Sequence, residues 1–260
     1  MKRLDLTRAA LGALLSSTLA AAAADPPPAE RFAGVDLSYV NEVEDCGAVY
    51  RLNGKPRDPY ELFAEKGANL VRLRLWNDPT WTHYSTEADV TRSAERAKKA
   101  GMNVLLDFHY SDDWADPQKQ TIPAAWSRDI EDADKLAAHV YEYTGGVLER
   151  LGQRGLLPYM VQVGNEINTQ MLRPADTKGE PIDWARNAKI LNAGIRAVRE
   201  TSVAGRAPKV MLHVAQPENV EPWFAAAVAA GVRDFDYIGV SYYRKWSVYE
   251  LKQAEAALLR

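Results

Sequence analysis

Six short runs of apolar and β-branched residues recur along the chain, near residues 32–37, 69–76, 103–109, 159–165, 209–214 and 237–241. Between and after them, residues 59–66, 88–100, 130–151, 183–201, 221–230 and 248–259 carry helix-forming residues with spaced apolar positions. Gly67, Gly101 and Gly231 stand where a helix would stop before the next strand. This alternation predicts parallel strands joined by crossover helices. It suits either an open doubly wound sheet or a barrel. No glycine-rich phosphate fingerprint follows the first run, and polar and aromatic clusters follow several successive runs instead, as the loops at one end of a barrel require. The expected fold class is therefore α/β, a TIM (β/α)8-type barrel, with about six βα units over residues 32–260. The seventh and eighth strands are expected to be missing, and the chain to be a fragment or part of a longer reading frame.

Period-two alternation along 71–76 places Arg72, Arg74 and Trp76 on one face and Val71, Leu73 and Leu75 on the other. Both arginines are expected to point into the barrel, where each needs an anionic partner, with Asp36 and Asp107 the candidates. Asp107 and His109 share the inward face of the third run. The fourth run ends at Asn165 and Glu166, which sets a carboxyl at the C-terminal lip of a buried strand. Burying it there is costly, and we read Glu166 as a catalytic acid. Consecutive residues of a regular strand face opposite ways, so Asn165 and Glu166 reach one substrate only if the strand breaks, which Gly164 eases. His213 ends the fifth run, and the sixth ends in Ser241, Tyr242, Tyr243, Arg244, Lys245 and Trp246, another cluster of hydrogen-bond and stacking groups. Trp114 and Trp126, and also Trp76 and Trp81, suit either stacking on sugar rings or core packing.

Composition narrows the function classes. With 47% hydrophobic and 26% charged residues in 260, the chain is that of an ordinary globular protein with one sizeable core. Lys2, Arg3 and Arg8 precede an Ala/Leu-rich stretch and a small-residue cleavage site after Ala24, so residues 1–24 are expected to be a signal peptide, 25–31 a linker, and the protein secreted or periplasmic. Cleavage would leave a net charge of −5, which argues against nucleic acid as a partner; no membrane association is expected after cleavage. Cys46 has no partner for an internal disulfide. No His-x-x-x-His or cysteine pair accompanies His109 and the neighbouring aspartates, so neither metal nor cofactor is expected.

The stretches GVDLS (34–38), VRLRLWNDP (71–79), DFHYSDDWADP (107–117), QVGNE (162–166) and SYYRKW (241–246) resemble the arabinogalactan endo-β-1,4-galactanases of glycoside hydrolase family 53, within the clan of retaining (β/α)8 glycosidases. The resemblance implies that Glu166 is the acid/base and that Asn165 holds the sugar 2-hydroxyl. It implies that Arg72 supports the nucleophile with Arg74 close by, and that His109 and Tyr243 line the reacting subsite. Asp36, Trp114, His213, Tyr242 and Trp246 would belong to the binding cleft. Proline often stands where this chain has Arg244. The nucleophile implied is a glutamate ending a seventh strand, and no position here matches it; Glu218 lies nearest a strand end but follows the fifth. The polysaccharide partner implied is β-1,4-galactan. Two other readings stay open: another retaining β-glycanase of the clan, such as a mannanase or cellulase, and a non-catalytic galactan-binding protein.

Overall fold

The computed structural model describes residues 31–177, 181–202 and 205–259. The chain divides into two units, Met1–Arg31 and Phe32–Arg260. The expected signal peptide, and the linker as far as residue 30, lie outside the described residues. In chain order the elements are β1 Gly34–Asp36, α1 Val40–Asp45, β2 Arg51–Leu52, β3 Lys55–Pro56, α2 Pro59–Glu65, β4 Leu70–Leu75, α3 Glu87–Lys99, β5 Asn103–Phe108, α4 Ala133–Gln153, β6 Met160–Val163, α5 Trp184–Glu200, β7 Lys209–Ala215, α6 Val220–Ala229, β8 Tyr237–Ser241 and α7 Leu251–Leu258. Six strands form one parallel sheet in the order β1-β4-β5-β6-β7-β8. These are the six apolar runs of the sequence, and each crossover carries a helix, which is the βα pattern of a partial TIM-type barrel.

Smaller elements lie between β1 and β4. The β2–β3 hairpin turns on Asn53-Gly54, both with positive φ, a two-residue hairpin signal. Helix α1 has only six residues and draws on tertiary contacts: Arg96 Nη1 donates to Asn41 Oδ1 (2.8 Å) and to Glu44 Oε2 (2.7 Å).

The two faces of the sheet do different work. Val71, Leu73 and Leu75 on β4, Leu106 and Phe108 on β5, Val161 and Val163 on β6, and Val210, Leu212 and Val214 on β7 pack against the helices in the main core. On the opposite face, Leu70, Leu105 and Met160 form a smaller cluster with Phe32, Tyr159, Met211 and Tyr237 at the start of the strands. Toward the strand ends that face turns polar, with Arg72, Asp107, Gln162 and His213 in place of aliphatic side chains. Among the described residues β1 and β8 each have one strand neighbour. Ile238 on β8 is accordingly exposed, whereas its register partner Leu212 is buried.

Candidate active site

Arg72 organises the polar end of the sheet. Its Nη1 donates to Asp36 Oδ2 (2.7 Å), and its Nη2 to Asp107 Oδ2 (2.7 Å) and Asn165 Oδ1 (2.8 Å); Nε donates to Gln162 Oε1 (3.1 Å). Both carboxylates named from the sequence are thus its partners. Asp107 is fully buried and also receives Gln162 Nε2 (2.5 Å) and His109 Nε2 (3.0 Å). Burial pushes the Asp107 pKa up, but the charge of Arg72, followed by the His109 interactions, outweighs it and holds the carboxyl at about 2. The Ala115 N–H donates to His109 Nδ1 (3.0 Å), so the proton of the neutral ring sits on Nε2 and points at Asp107.

Arg74 departs from expectation. No described carboxylate pairs with it; the buried guanidinium lies over the rings of Trp114 (4.2 Å), Tyr39 (4.4 Å) and Trp76 (4.4 Å), and its Nη2 donates to Ser85 Oγ (2.9 Å). A weakly hydrated planar cation accepts aromatic faces where an ammonium would demand a counter-ion, which is why the anionic-partner argument fails here. The cage also sorts the tryptophans. Trp76 is buried within it, while Trp114 is 38% exposed and Trp81, near Trp76, is 62% exposed. Trp126 is core, stacked on His139 with ring centroids 5.5 Å apart, and is not available to a sugar.

The break after β6 delivers the carboxyl. Gly164 has φ +86° and Glu166 φ +46°, two left-handed residues within three positions. The turn lets Asn165 and Glu166 both face the polar cluster. Asn165 accepts from Arg72 and from Gln162 Nε2 (3.1 Å), and one of its amide hydrogens goes to Ala115 O (2.7 Å). A Cβ on Gly164 would lie 2.5 Å from Ile167 Cγ2 and 3.3 Å from Met171 Cε. Gly164→Ala is therefore expected to cost about 3 kcal/mol or more, from the positive φ and the overlap together. Urea denaturation reads it, and an unchanged midpoint would remove this account of the turn.

Glu166 is half-buried, and its pKa is raised: burial is the main cause and the negative charge of Asp116 adds to it, against the nearby Ser241 hydroxyl and the charge of Arg72. A carboxyl whose pKa is raised at a strand end is suited to general-acid work. His213 is buried beside it, accepting the Glu166 N–H on Nδ1 (3.2 Å). Burial, then the nearby Arg72 charge, lowers the His213 pKa to about 3, so the ring is neutral. Tyr242 donates its hydroxyl to Tyr249 O (3.1 Å) and is tied into the following turn. Tyr243 and Trp246 are 59% and 66% exposed, forming a lip above β8. Glu218 is held below the ordinary carboxyl range, against burial, by Ser247 Oγ (2.7 Å) and the Val248 N–H (2.9 Å), so it braces a turn and is not free for chemistry.

One residue of this cluster was not singled out from the sequence. Gln162 links Arg72, Asp107, Asn165 and His213, and its only linear signal is a lone amide in an apolar strand. Ser241, named from the sequence only as the first of a hydrogen-bonding cluster, meets His213 because the register sets β8 beside β7.

Parallel βα units that gather a glutamate of raised pKa, its asparagine neighbour and a partly buried arginine at their strand ends form the layout of a βα-barrel glycoside hydrolase. Residues 32–259 match Glycosyl hydrolase family 53, and the chain belongs to that family. It is 51% identical to an arabinogalactan endo-beta-1,4-galactanase of Cellvibrio japonicus (strain Ueda107), a match covering 96% of this chain and 66% of the relative. It is 35% identical to an arabinogalactan endo-beta-1,4-galactanase of Thermothelomyces thermophilus over 83% of this chain and 65% of that one. The chain thus spans just under two thirds of the length of these curated relatives. A solved structure from a study of two fungal beta-1,4-galactanases superposes with a TM-score of 0.78 at 33% identity, covering 86% of this chain and 68% of that one.

Proposed function

We propose that the protein is an endo-acting hydrolase of β-1,4-galactan, the polymer of arabinogalactan I and of pectin side chains, working by retaining double displacement with Glu166 as acid/base. The observation that carries this reading is the half-buried Glu166, raised in pKa and set beside Asn165 at the end of β6, in a chain 51% identical to an arabinogalactan endo-beta-1,4-galactanase. In the first step a second carboxylate, the nucleophile, bonds to the anomeric carbon as Glu166 gives its proton to the departing glycosidic oxygen. In the second, the Glu166 carboxylate takes a proton from water, which attacks that carbon, breaks the glycosyl-enzyme bond and frees the enzyme. A retaining pair needs its second carboxyl about 5–5.5 Å away to attack the anomeric carbon. We assign that nucleophile to none of the described residues: Asp107 is sealed, Asp36 holds Arg72, Asp116 Oδ1 caps the turn at Gln118 and Lys119, and Glu218 braces the 247–248 turn.

From a form that carries the nucleophile, reducing-end release from linear β-1,4-galactan, absent with mannan or cellulose and lost in Glu166→Gln, is the expected result. Galactan binding by folded protein, with no release and no effect of Glu166→Gln, would instead establish a non-catalytic binding protein. Trp114 is the exposed aromatic wall of the Arg74 cage, and Trp114→Ala is expected to weaken galactan affinity about tenfold with little change in kcat, the loss of one stacked ring. Equal affinities would place the sugar elsewhere. We also propose export through residues 1–24, for which N-terminal sequencing of the secreted protein should begin at Asp25.

A further inference from the structure

The peptide that joins Asn165 to Glu166 is gripped from both sides by side chains. Its N–H donates to His213 Nδ1 on β7 (3.2 Å). Its carbonyl oxygen, on Asn165, accepts from Gln120 Nε2 in the connection between β5 and α4 (2.9 Å). A trans peptide points its N–H and C=O in opposite directions, so two partners from different parts of the chain hold one plane by opposite edges. Gln120 Nε2 also donates to Glu166 O (3.3 Å) and Asp116 O (3.0 Å). The amide is itself fixed. Gln120 is buried, its own C=O accepts the Arg173 N–H (2.8 Å), and the Ile122 N–H donates to Arg173 O (2.9 Å). Asn165 Nδ2 donates to Ala115 O (2.7 Å) and Thr169 Oγ1 to Pro117 O (3.0 Å), so residues 115–122 and 165–173 are laced together. Among these contacts, those of Gln120 are the ones that reach the backbone of Glu166.

We propose that Gln120 is a positioning residue for Glu166: with His213 it clamps the 165–166 peptide, holds the left-handed turn and fixes where the Glu166 carboxyl meets the glycosidic oxygen. The mechanistic role rests on Glu166 being the acid/base, as proposed above. A non-glycine residue at φ +46° is unfavourable and persists where its surroundings over-determine it, which the two-sided grip does. Rotating that one peptide would swing the Glu166 side chain with it. A general acid acts within hydrogen-bond reach of the leaving oxygen, and a displacement of about 1 Å costs about a hundredfold in rate. The donors of Gln120 matter here, more than its volume. Asp116 O and Glu166 O also accept the Lys119 N–H (3.0 Å) and the Asn168 N–H (2.8 Å), so loss of the amide falls chiefly on Asn165 O, the carbonyl of the clamped peptide.

The test is amide hydrogen exchange by NMR on this chain, in the wild type, in Gln120→Met, which keeps the volume without a donor, and in Gln120→Glu, which keeps the shape. In both variants the Glu166 N–H is expected to exchange about tenfold faster, with Leu73 and Leu106 on neighbouring strands unchanged. In the wild type the side-chain amide of Gln120 should exchange at least about a hundredfold more slowly than that of the exposed Gln118. In a form that carries the nucleophile, both variants should lose about a hundredfold in kcat on galactan with little change in KM, and keep the first step on a dinitrophenyl galactoside, which needs no acid. An unchanged Glu166 rate, or a rise shared by Leu73 and Leu106, would overturn the clamp. Equal losses on the two substrates would overturn it too, as the mark of a merely structural glutamine. Rapid exchange of the Gln120 amide would do so from the wild type alone, even if neither variant folds. Exchange needs no turnover, so a protein that cleaves no galactan refutes the catalytic reading while the exchange rates still decide the clamp.

Discussion

In a form of the protein that carries the nucleophile, Glu166→Ala is expected to lower kcat/KM on β-1,4-galactan by about a thousandfold or more, and to spare the first step on a galactoside with a good leaving group such as dinitrophenolate. The difference lies in what departs. A sugar hydroxyl expelled unprotonated is a strong base, so bond cleavage waits on the proton that Glu166 delivers, whose raised pKa favours the acid form. Dinitrophenolate needs no proton, so the glycosyl-enzyme should form at nearly the wild-type rate and then accumulate, because no base remains to activate water. Stopped-flow release should show a burst of one equivalent followed by a slow steady state. Added azide, an anion that needs no deprotonation, should speed the second phase. Equal losses on both substrates would remove Glu166 from the acid role. Rates on the activated substrate should also lose the alkaline limb that deprotonation of Glu166 imposes in the wild type.

The strands were legible because burial on both faces demands apolar residues at nearly every position, and such runs are hard to mistake between glycine-stopped helices. β4 revealed more, since its arginines interrupt the run with period two and mark the face that turns polar. Gly164 pointed to the break that lets Asn165 and Glu166 act together, because a positive φ is costly for other residues. The partners of those groups were harder to read. The Arg74 cage draws its rings from three separated segments, at Tyr39, Trp76 and Trp114, so nothing adjacent in sequence distinguishes it from an arginine awaiting a carboxylate. Trp126 and Trp114 lie in one connection between β5 and α4, yet one packs on His139 and the other faces outward, a distinction that only the path of the loop supplies. Gln162 and Ser241 became meaningful once the register was known, since their partners lie on neighbouring strands.

The second large effect falls on stability. Arg72→Met keeps most of the side-chain volume but leaves the fully buried Asp107 without its guanidinium, and is expected to cost about 3–5 kcal/mol at neutral pH. The pH dependence follows from the direction of the Asp107 shift. Its folded pKa of about 2 lies below the unfolded value, so the stability it contributes is fully present above the ordinary carboxyl range and is lost as pH falls toward 2. Without Arg72, the remaining His109 and Gln162 contacts must oppose burial alone. The carboxyl then takes up a proton at higher pH, and the acid limb of the stability curve should move upward with it. Adding Asp107→Asn to Arg72→Met removes the stranded charge, so the double variant should be more stable than Arg72→Met alone, though short of the wild type because Gln162 and His109 keep a poorer acceptor. Urea denaturation of the three proteins between pH 3 and 8 reads both effects. A double variant no more stable than Arg72→Met would show that the cost comes from lost packing around the guanidinium, not from an unpaired buried carboxylate.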